Sequence, residues 1–101
     1  MLKGYWIIRV DVSEIEPFKE YMQAAAEVLK KYNARFLIRG GHYEVVEGFS
    51  RSRNSVVEFP NYDTAFACWN STEYQSAIKI RQPVSTMDLV VIEGYDGPQP
   101  S

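Results

Sequence analysis

The sequence predicts one α+β domain in which a four-stranded antiparallel sheet carries its helices on a single face. Three observations predict it. Strand-like and helix-like stretches follow one another in the order strand, helix, strand, strand, helix, strand. Two such halves joined by right-handed crossovers interleave into one sheet. At 101 residues the chain builds one core and has no room for a second domain.

Gly4–Val12 is the first strand, rich in β-branched and aromatic residues. Alternation puts Trp6, Ile8, Val10 and Val12 on one face and Tyr5, Ile7, Arg9 and Asp11 on the other. Ser13-Glu14-Ile15-Glu16 has the form of a capping box and predicts a helix start. Pro17 follows within the first turn, where its missing N–H is not needed. Ile15, Phe18, Met22, Ala25, Leu29 and Tyr32 mark the buried stripe, and Asn33 suits the helix end.

Ala34–Arg39 is the second strand, with Phe36 and Ile38 opposite Arg35, Leu37 and Arg39. Gly40-Gly41 interrupts it, and Tyr43–Glu47 resumes a strand-like pattern before the polar loop Gly48–Arg53. Ser55–Phe59 is the third strand, ended by Pro60. Asn61 caps a second helix carrying Ala65, Phe66 and Trp69. Asn70-Ser71 breaks that helix, and Ser71 recaps a continuation through Tyr74, Ala77 and Ile78 as far as Pro83. Met87–Gly94 is the last strand, so the domain spans residues 1–96 and 97–101 form a flexible tail. The arrangement is ferredoxin-like, βαββαβ.

Helices on one face leave the other face of the sheet bare, yet Gly4–Val12 and Met87–Gly94 are too apolar for half-solvated strands. No other segment is long enough to cover them, so the expectation is a homodimer pairing two sheets into a barrel. Arg9, Asp11, Arg39 and Glu58 would then project into the space between the sheets, as part of a small-molecule pocket or as plain intersheet salt bridges.

A broader series of residues resembles a known family. Arg35-Phe36-Leu37-Ile38-Arg39-Gly40-Gly41, Val46-Glu47-Gly48 and Val56-Val57-Glu58-Phe59-Pro60-Asn61-Tyr62 belong to it. So do Ala65, Trp69, Ser71, Glu73-Tyr74-Gln75 and Ile92-Glu93-Gly94. Together they resemble the domain-of-unknown-function 1330 family of the dimeric α/β-barrel superfamily, over roughly Gly4 to Tyr95. The resemblance implies a ferredoxin-like protomer and a dimeric barrel, but no activity. The wider superfamily includes cofactor-independent monooxygenases, muconolactone isomerase-like enzymes, haem enzymes and stress-responsive proteins, none of which transfers by fold. Asn61 and Thr72 replace the serine and proline frequent in the family, both harmless changes at helix starts.

The side chains narrow the chemistry. Arg39 and Arg53 are candidate clamps for a ligand carboxylate or enolate, and Glu47 and Glu58 are candidate bases. The plainer reading of these four is a cross-strand ladder of ion pairs. His42 beside the Gly40-Gly41 bend is a candidate ligand contact, though a lone exposed histidine is as ordinary there. Trp6, Trp69 and Tyr74 fit the core, with the Tyr74 hydroxyl a further candidate for orienting a ligand. Cys68 is the only cysteine and reads as a buried structural thiol, so a disulfide is excluded and no metal site is expected.

A net charge of −2 argues against a nucleic-acid partner. The third strand has an acid at its centre where an RNA-recognition domain would carry a glycine-aromatic signature. No signal-peptide core or membrane span is legible, and a cytoplasmic protein is expected. The sequence thus points to a cytoplasmic homodimer, without cofactor, that binds a small anionic or carbonyl-containing organic molecule. Proton transfer, isomerisation or oxygenation is one use of that site; non-catalytic binding or a purely structural dimer is the alternative.

Overall fold

A computed structural model describes residues Met1–Ser101. Its elements are β1 (Gly4–Val12), α1 (Ile15–Lys31), β2 (Arg35–Arg39), β3 (Arg53–Phe59), α2 (Tyr62–Asn70), α3 (Thr72–Arg81) and β4 (Ser85–Glu93). A short 3-10 turn, Gln82–Val84, leads into β4. The sheet is antiparallel throughout, in the order β2-β3-β1-β4, which is the ferredoxin-like arrangement.

Alternation along β1 holds in full. Trp6, Ile8 and Val10 are buried under the helices, whereas Tyr5, Ile7, Arg9 and Asp11 face away. Trp6 anchors the core: its indole donates to the Ala65 carbonyl at 2.9 Å, and its ring packs 5.1 Å from Phe59 and 4.8 Å from Tyr74. Gly4 lies where α2 begins, so close that a Cβ would strike the Asn61 carbonyl.

The helix starts divide. Asn61 accepts from the Thr64 amide at 2.8 Å and Ser71 from the Tyr74 amide at 3.1 Å, so both caps form. The capping box expected at Ser13 does not. Ser13 donates both its amide and its hydroxyl to the Val84 carbonyl, which ties the end of β1 to the 3-10 turn, and Glu14 becomes an N-cap without a side-chain bond. At the other end Asn33 takes φ +56°, and the Asn33 and Ala34 amides return to the Lys30 and Leu29 carbonyls, a Schellman closure. The buried stripe of α1 is Phe18, Tyr21, Ala25, Val28 and Leu29; Ile15 is exposed, and Met22 and Tyr32 are half-buried.

Two corrections concern the second strand. Tyr43–Glu47 does not resume it: residues 40–52 form an irregular, largely exposed connection, closed at its base where the Gly40 amide donates to the Asn54 carbonyl at 2.8 Å. Within β2 a bulge falls between Phe36 and Ile38. Phe36 still pairs with Val57 on the helix side, but the extra residue, Leu37, moves Ile38 to the open side and Arg39 to the helix side. Arg39 therefore does not project from the bare face, as strict alternation required.

The bare face is apolar at its centre. Ile38, Val56, Ile7 and Val90 stand in one row across all four strands. Three of these are substantially exposed: Ile7 at 40 %, Ile38 at 52 % and Val90 at 53 %, with Ile92 in the next row at 44 %.

Candidate functional site

The helices cover the sheet unevenly. α2 packs on β1, β3 and β4, but α1 packs chiefly on α3 and stands off from the strands. The gap beneath it is a cavity of about 500 Å³. Trp6, Ile8 and Val10 of β1 form its floor, and Phe18, Tyr21, Met22, Ala25 and Leu29 of α1 form its roof. Its exposed lining residues are Ala26, Phe36, Arg39, Gly40 and Ser52, which mark the mouth between α1 and the outer edge of the sheet.

Two cations reach this space from the strands. Arg53 pairs with Val10 on the helix side, and its guanidinium carbon lies 5.7 Å from the centre of the Phe18 ring. Arg39, turned inward by the bulge, has its guanidinium carbon 4.3 Å from the Phe36 ring centre. Neither joins any ion pair in the molecule. No Asp, Glu, His or Cys lines the cavity. Its polar character therefore comes from two guanidinium groups, a tyrosine and two serines against apolar walls. An environment of this kind favours an anion with an apolar body.

The other residues picked from the sequence lie elsewhere. Glu58 is on the bare face, where one carboxylate oxygen accepts from Arg35 at 2.9 Å and the other from the Tyr5 hydroxyl at 3.2 Å. The Arg35 bond above all holds its carboxyl below the usual range, the opposite of what a base needs near neutral pH. His42 and Glu47 are exposed on the connection that leaves the cavity mouth at Gly40 and returns to it at Ser52. Tyr74, expected to offer its hydroxyl to a ligand, is fully buried against Trp6 and Trp69, and that hydroxyl is 2.8 Å from the Tyr21 hydroxyl. Nothing in the sequence marked Tyr21 as a lining residue, because the stripe read for α1 ran through Phe18, Met22, Ala25 and Leu29 and passed it by.

The acids of the bare face are engaged. Arg51 joins Asp88 at 2.6 Å and Asp11 at 3.0 Å, and the Ser52 amide donates to Asp11 at 2.8 Å. That last bond is the chief reason the Asp11 carboxyl sits below its ordinary range. These contacts pin the return of the 40–52 connection to the sheet. No three His, Cys, Asp or Glu side chains meet as a metal-binding group, and no helix is long and apolar enough to cross a membrane.

A family model described as "Domain of unknown function (DUF1330)" matches residues 3–95. A search of curated proteins finds no match. Among solved structures, a protein of unknown function from Rhodopseudomonas palustris superposes with a TM-score of 0.75 at 13% identity, covering 95% of this chain and 85% of that one. SnoaB, a cofactor-independent oxygenase from Streptomyces nogalater, gives 0.63 at 11% identity, over 99% and 97% of the two chains. A dimeric ferredoxin-like protein of unknown function from Thermobifida fusca gives 0.58 at 12%, over 91% and 89%. At such identities the likeness is one of fold, and the chemistry has to be argued from side chains.

Proposed function

The chain belongs to the DUF1330 family, whose name assigns no chemistry, and from its geometry we propose a homodimer that binds a small organic anion with an apolar body in the cavity under α1. One observation carries this reading: Arg39 and Arg53 flank an apolar cavity of about 500 Å³ without a carboxylate partner. Guanidinium groups left free beside apolar walls gain most from a carboxylate or enolate, with which they make short charge-assisted hydrogen bonds. The volume suits a molecule of one or two fused rings.

Dimerisation rests on the bare face. The row Ile38, Val56, Ile7 and Val90 is an apolar stripe that a second copy would cover, and the Thermobifida fusca neighbour is described as dimeric. The cavity lies on the opposite side of the sheet from this stripe. Its arginines are therefore within one protomer, and the ligand is not held between the two sheets.

Catalysis is the second reading, favoured by the same guanidinium pair. Cations against apolar walls stabilise the enolate or phenolate form of a ligand, the electron-rich species that reacts in proton transfer, isomerisation or oxygenation. Such chemistry would draw on ligand acidity, because the cavity itself holds no carboxylate. His42, Tyr43, Glu44 and Glu47 are titratable groups carried by the exposed connection that begins and ends at the cavity mouth.

Calorimetric titration with benzoate and 2-naphthoate tests the binding reading. Wild type should bind at least one of them, and replacing both Arg39 and Arg53 by alanine should weaken it by more than tenfold, since each charged hydrogen bond contributes roughly 1.5–3 kcal/mol. Binding that survives the double replacement would refute the site. Oxygen uptake with an enolisable aromatic acid tests for turnover.

A further inference from the structure

Behind the cavity roof, three side chains hold more donors than acceptors. Arg81 of α3 is only 7 % exposed, takes part in no ion pair, and its Nε has no hydrogen-bond partner. Its guanidinium carbon lies 5.4 Å from the centre of the Tyr21 ring. Tyr74 is completely buried, and its hydroxyl has one partner, the Tyr21 hydroxyl 2.8 Å away. Of the three residues only Tyr21 also lines the cavity.

The direction of the shared hydrogen bond follows from these placements. Two phenols bring two protons, and only one of them lies between the oxygens. Were Tyr21 the donor, the Tyr74 proton would be left in the core without an acceptor, an arrangement that folded proteins avoid. With Tyr74 donating to Tyr21, the Tyr21 proton is free for an acceptor outside the pair, and of the two tyrosines only Tyr21 borders open space, the cavity.

We infer that Tyr21 is a hydrogen-bond donor to a ligand oxygen inside the cavity, aimed by Tyr74 and backed by the Arg81 cation. This deepens the binding reading above and rests on it: the ligand carries a second oxygen acceptor, a ketone or phenolate, besides the anionic group met by Arg39 and Arg53. Burial, and after it the neighbouring Tyr74, keep the Tyr21 phenol protonated well beyond the ordinary tyrosine range, so it stays a donor throughout neutral pH. The Arg81 guanidinium, whose Nε is without a partner, favours negative charge accumulating on that ligand oxygen, a through-space role that makes it a positioning residue.

Two near-isosteric probe pairs test the assignment: 4-acetylbenzoate against 4-isopropylbenzoate, and the corresponding 6-substituted 2-naphthoates. Each pair differs in a carbonyl oxygen against a methyl group. Wild type should prefer the ketone of at least one pair by about fivefold, the net worth of one hydrogen bond. Tyr21→Phe should abolish that preference and should bind the isopropyl acid no more weakly than wild type does, since no unmet donor then lies against it. Infrared spectra should show the carbonyl stretch of the bound ketone lowered in wild type and restored in the variant. Equal affinities within both pairs, or a preference that survives Tyr21→Phe, would overturn the Tyr21 role and leave the arginine site standing. Should none of the four acids bind, both readings fall together. If Tyr21→Phe does not fold, the wild-type spectrum decides, and a carbonyl band as high as in an aprotic solvent refutes the donor.

Discussion

Replacing Ile7 by lysine tests the proposed dimer separately from the fold. Ile7 is on the bare face of β1, between Val56 and Val90 in the central apolar row. Exposure near one half for Ile7, Ile38, Val90 and Ile92 leaves each with about half of its side chain still to bury. Full burial of such a side chain is worth roughly 1.5–3 kcal/mol, so the remaining half contributes about 1 kcal/mol, or about 8 kcal/mol gross over both protomers. Ordering and lost rigid-body freedom offset part of this. The lysine removes two such contributions by symmetry and sets two ammonium groups between the sheets, for a combined penalty of about 4 kcal/mol or more. The dissociation constant should therefore rise at least about a thousandfold. Sedimentation from about 1 to 100 μM should show a wild-type dimer and a variant monomer, with thermal unfolding of the variant monomer otherwise ordinary. A wild type that sediments as a monomer throughout, or a variant that stays dimeric, would end the reasoning.

Other expectations follow from single contacts. The Glu58 carboxyl is held below its ordinary value of 4.5 by Arg35, so its stabilisation is complete above that value and fades as pH falls through the folded-state pKa. Glu58→Gln should lower the urea midpoint at pH 7 and flatten the loss of stability below pH 4.5; an unchanged acid limb would contradict the pairing. Burial pushes the Cys68 thiol up to about 12, so native protein should resist a disulfide reagent at pH 8 and react only on unfolding. Rapid labelling without unfolding would show that α2 is not seated as described. Gly4→Ala drives a Cβ into the Asn61 carbonyl and to within 2.7 Å of the Tyr62 Cα, so it should destabilise by about 1–3 kcal/mol or more in chemical denaturation.

What the sequence disclosed depended on the period of each element. Trp6, Ile8 and Val10 alternate with Ile7 and Arg9 over a nine-residue strand, so the inward and outward faces of β1 could be read directly. Asn61, Ser71 and Asn33 were legible because caps are local chemistry. The bulge at Leu37 was not, since it is a backbone event that any strand residue can host, and missing it placed Arg39 on the wrong side. Tyr43–Glu47 alternates like a strand but finds no partner strand in the protomer. The cavity lay beyond the reach of any single element: it exists because α1 leans on α3 instead of the sheet, a choice set by tertiary packing.

The site also shows that local pairing, and not total charge, sets what a cavity attracts. With thirteen acidic and eleven basic residues the chain is slightly acidic overall, yet its cavity is cationic. The difference arises from where the acids are engaged. Glu58 is tied to Arg35, and Asp11 and Asp88 share Arg51, all on the bare side of the sheet. A four-stranded sheet lies between those carboxylates and the cavity, and the bulge in β2 carries Arg39 across it, away from Glu58 and toward Phe18 and Tyr21. Had β2 kept strict alternation, Arg39 would have joined the ion-pair side and Arg53 would have been the one arginine facing the cavity. Deleting Leu37 removes the extra residue but leaves Phe36 opposite Val57, Ile38 opposite Val56 and Arg39 opposite Ser55, so Arg39 should stay on the helix side and binding of an aromatic acid should persist. A deletion variant that folds yet binds as weakly as Arg39→Ala would contradict this register of β2.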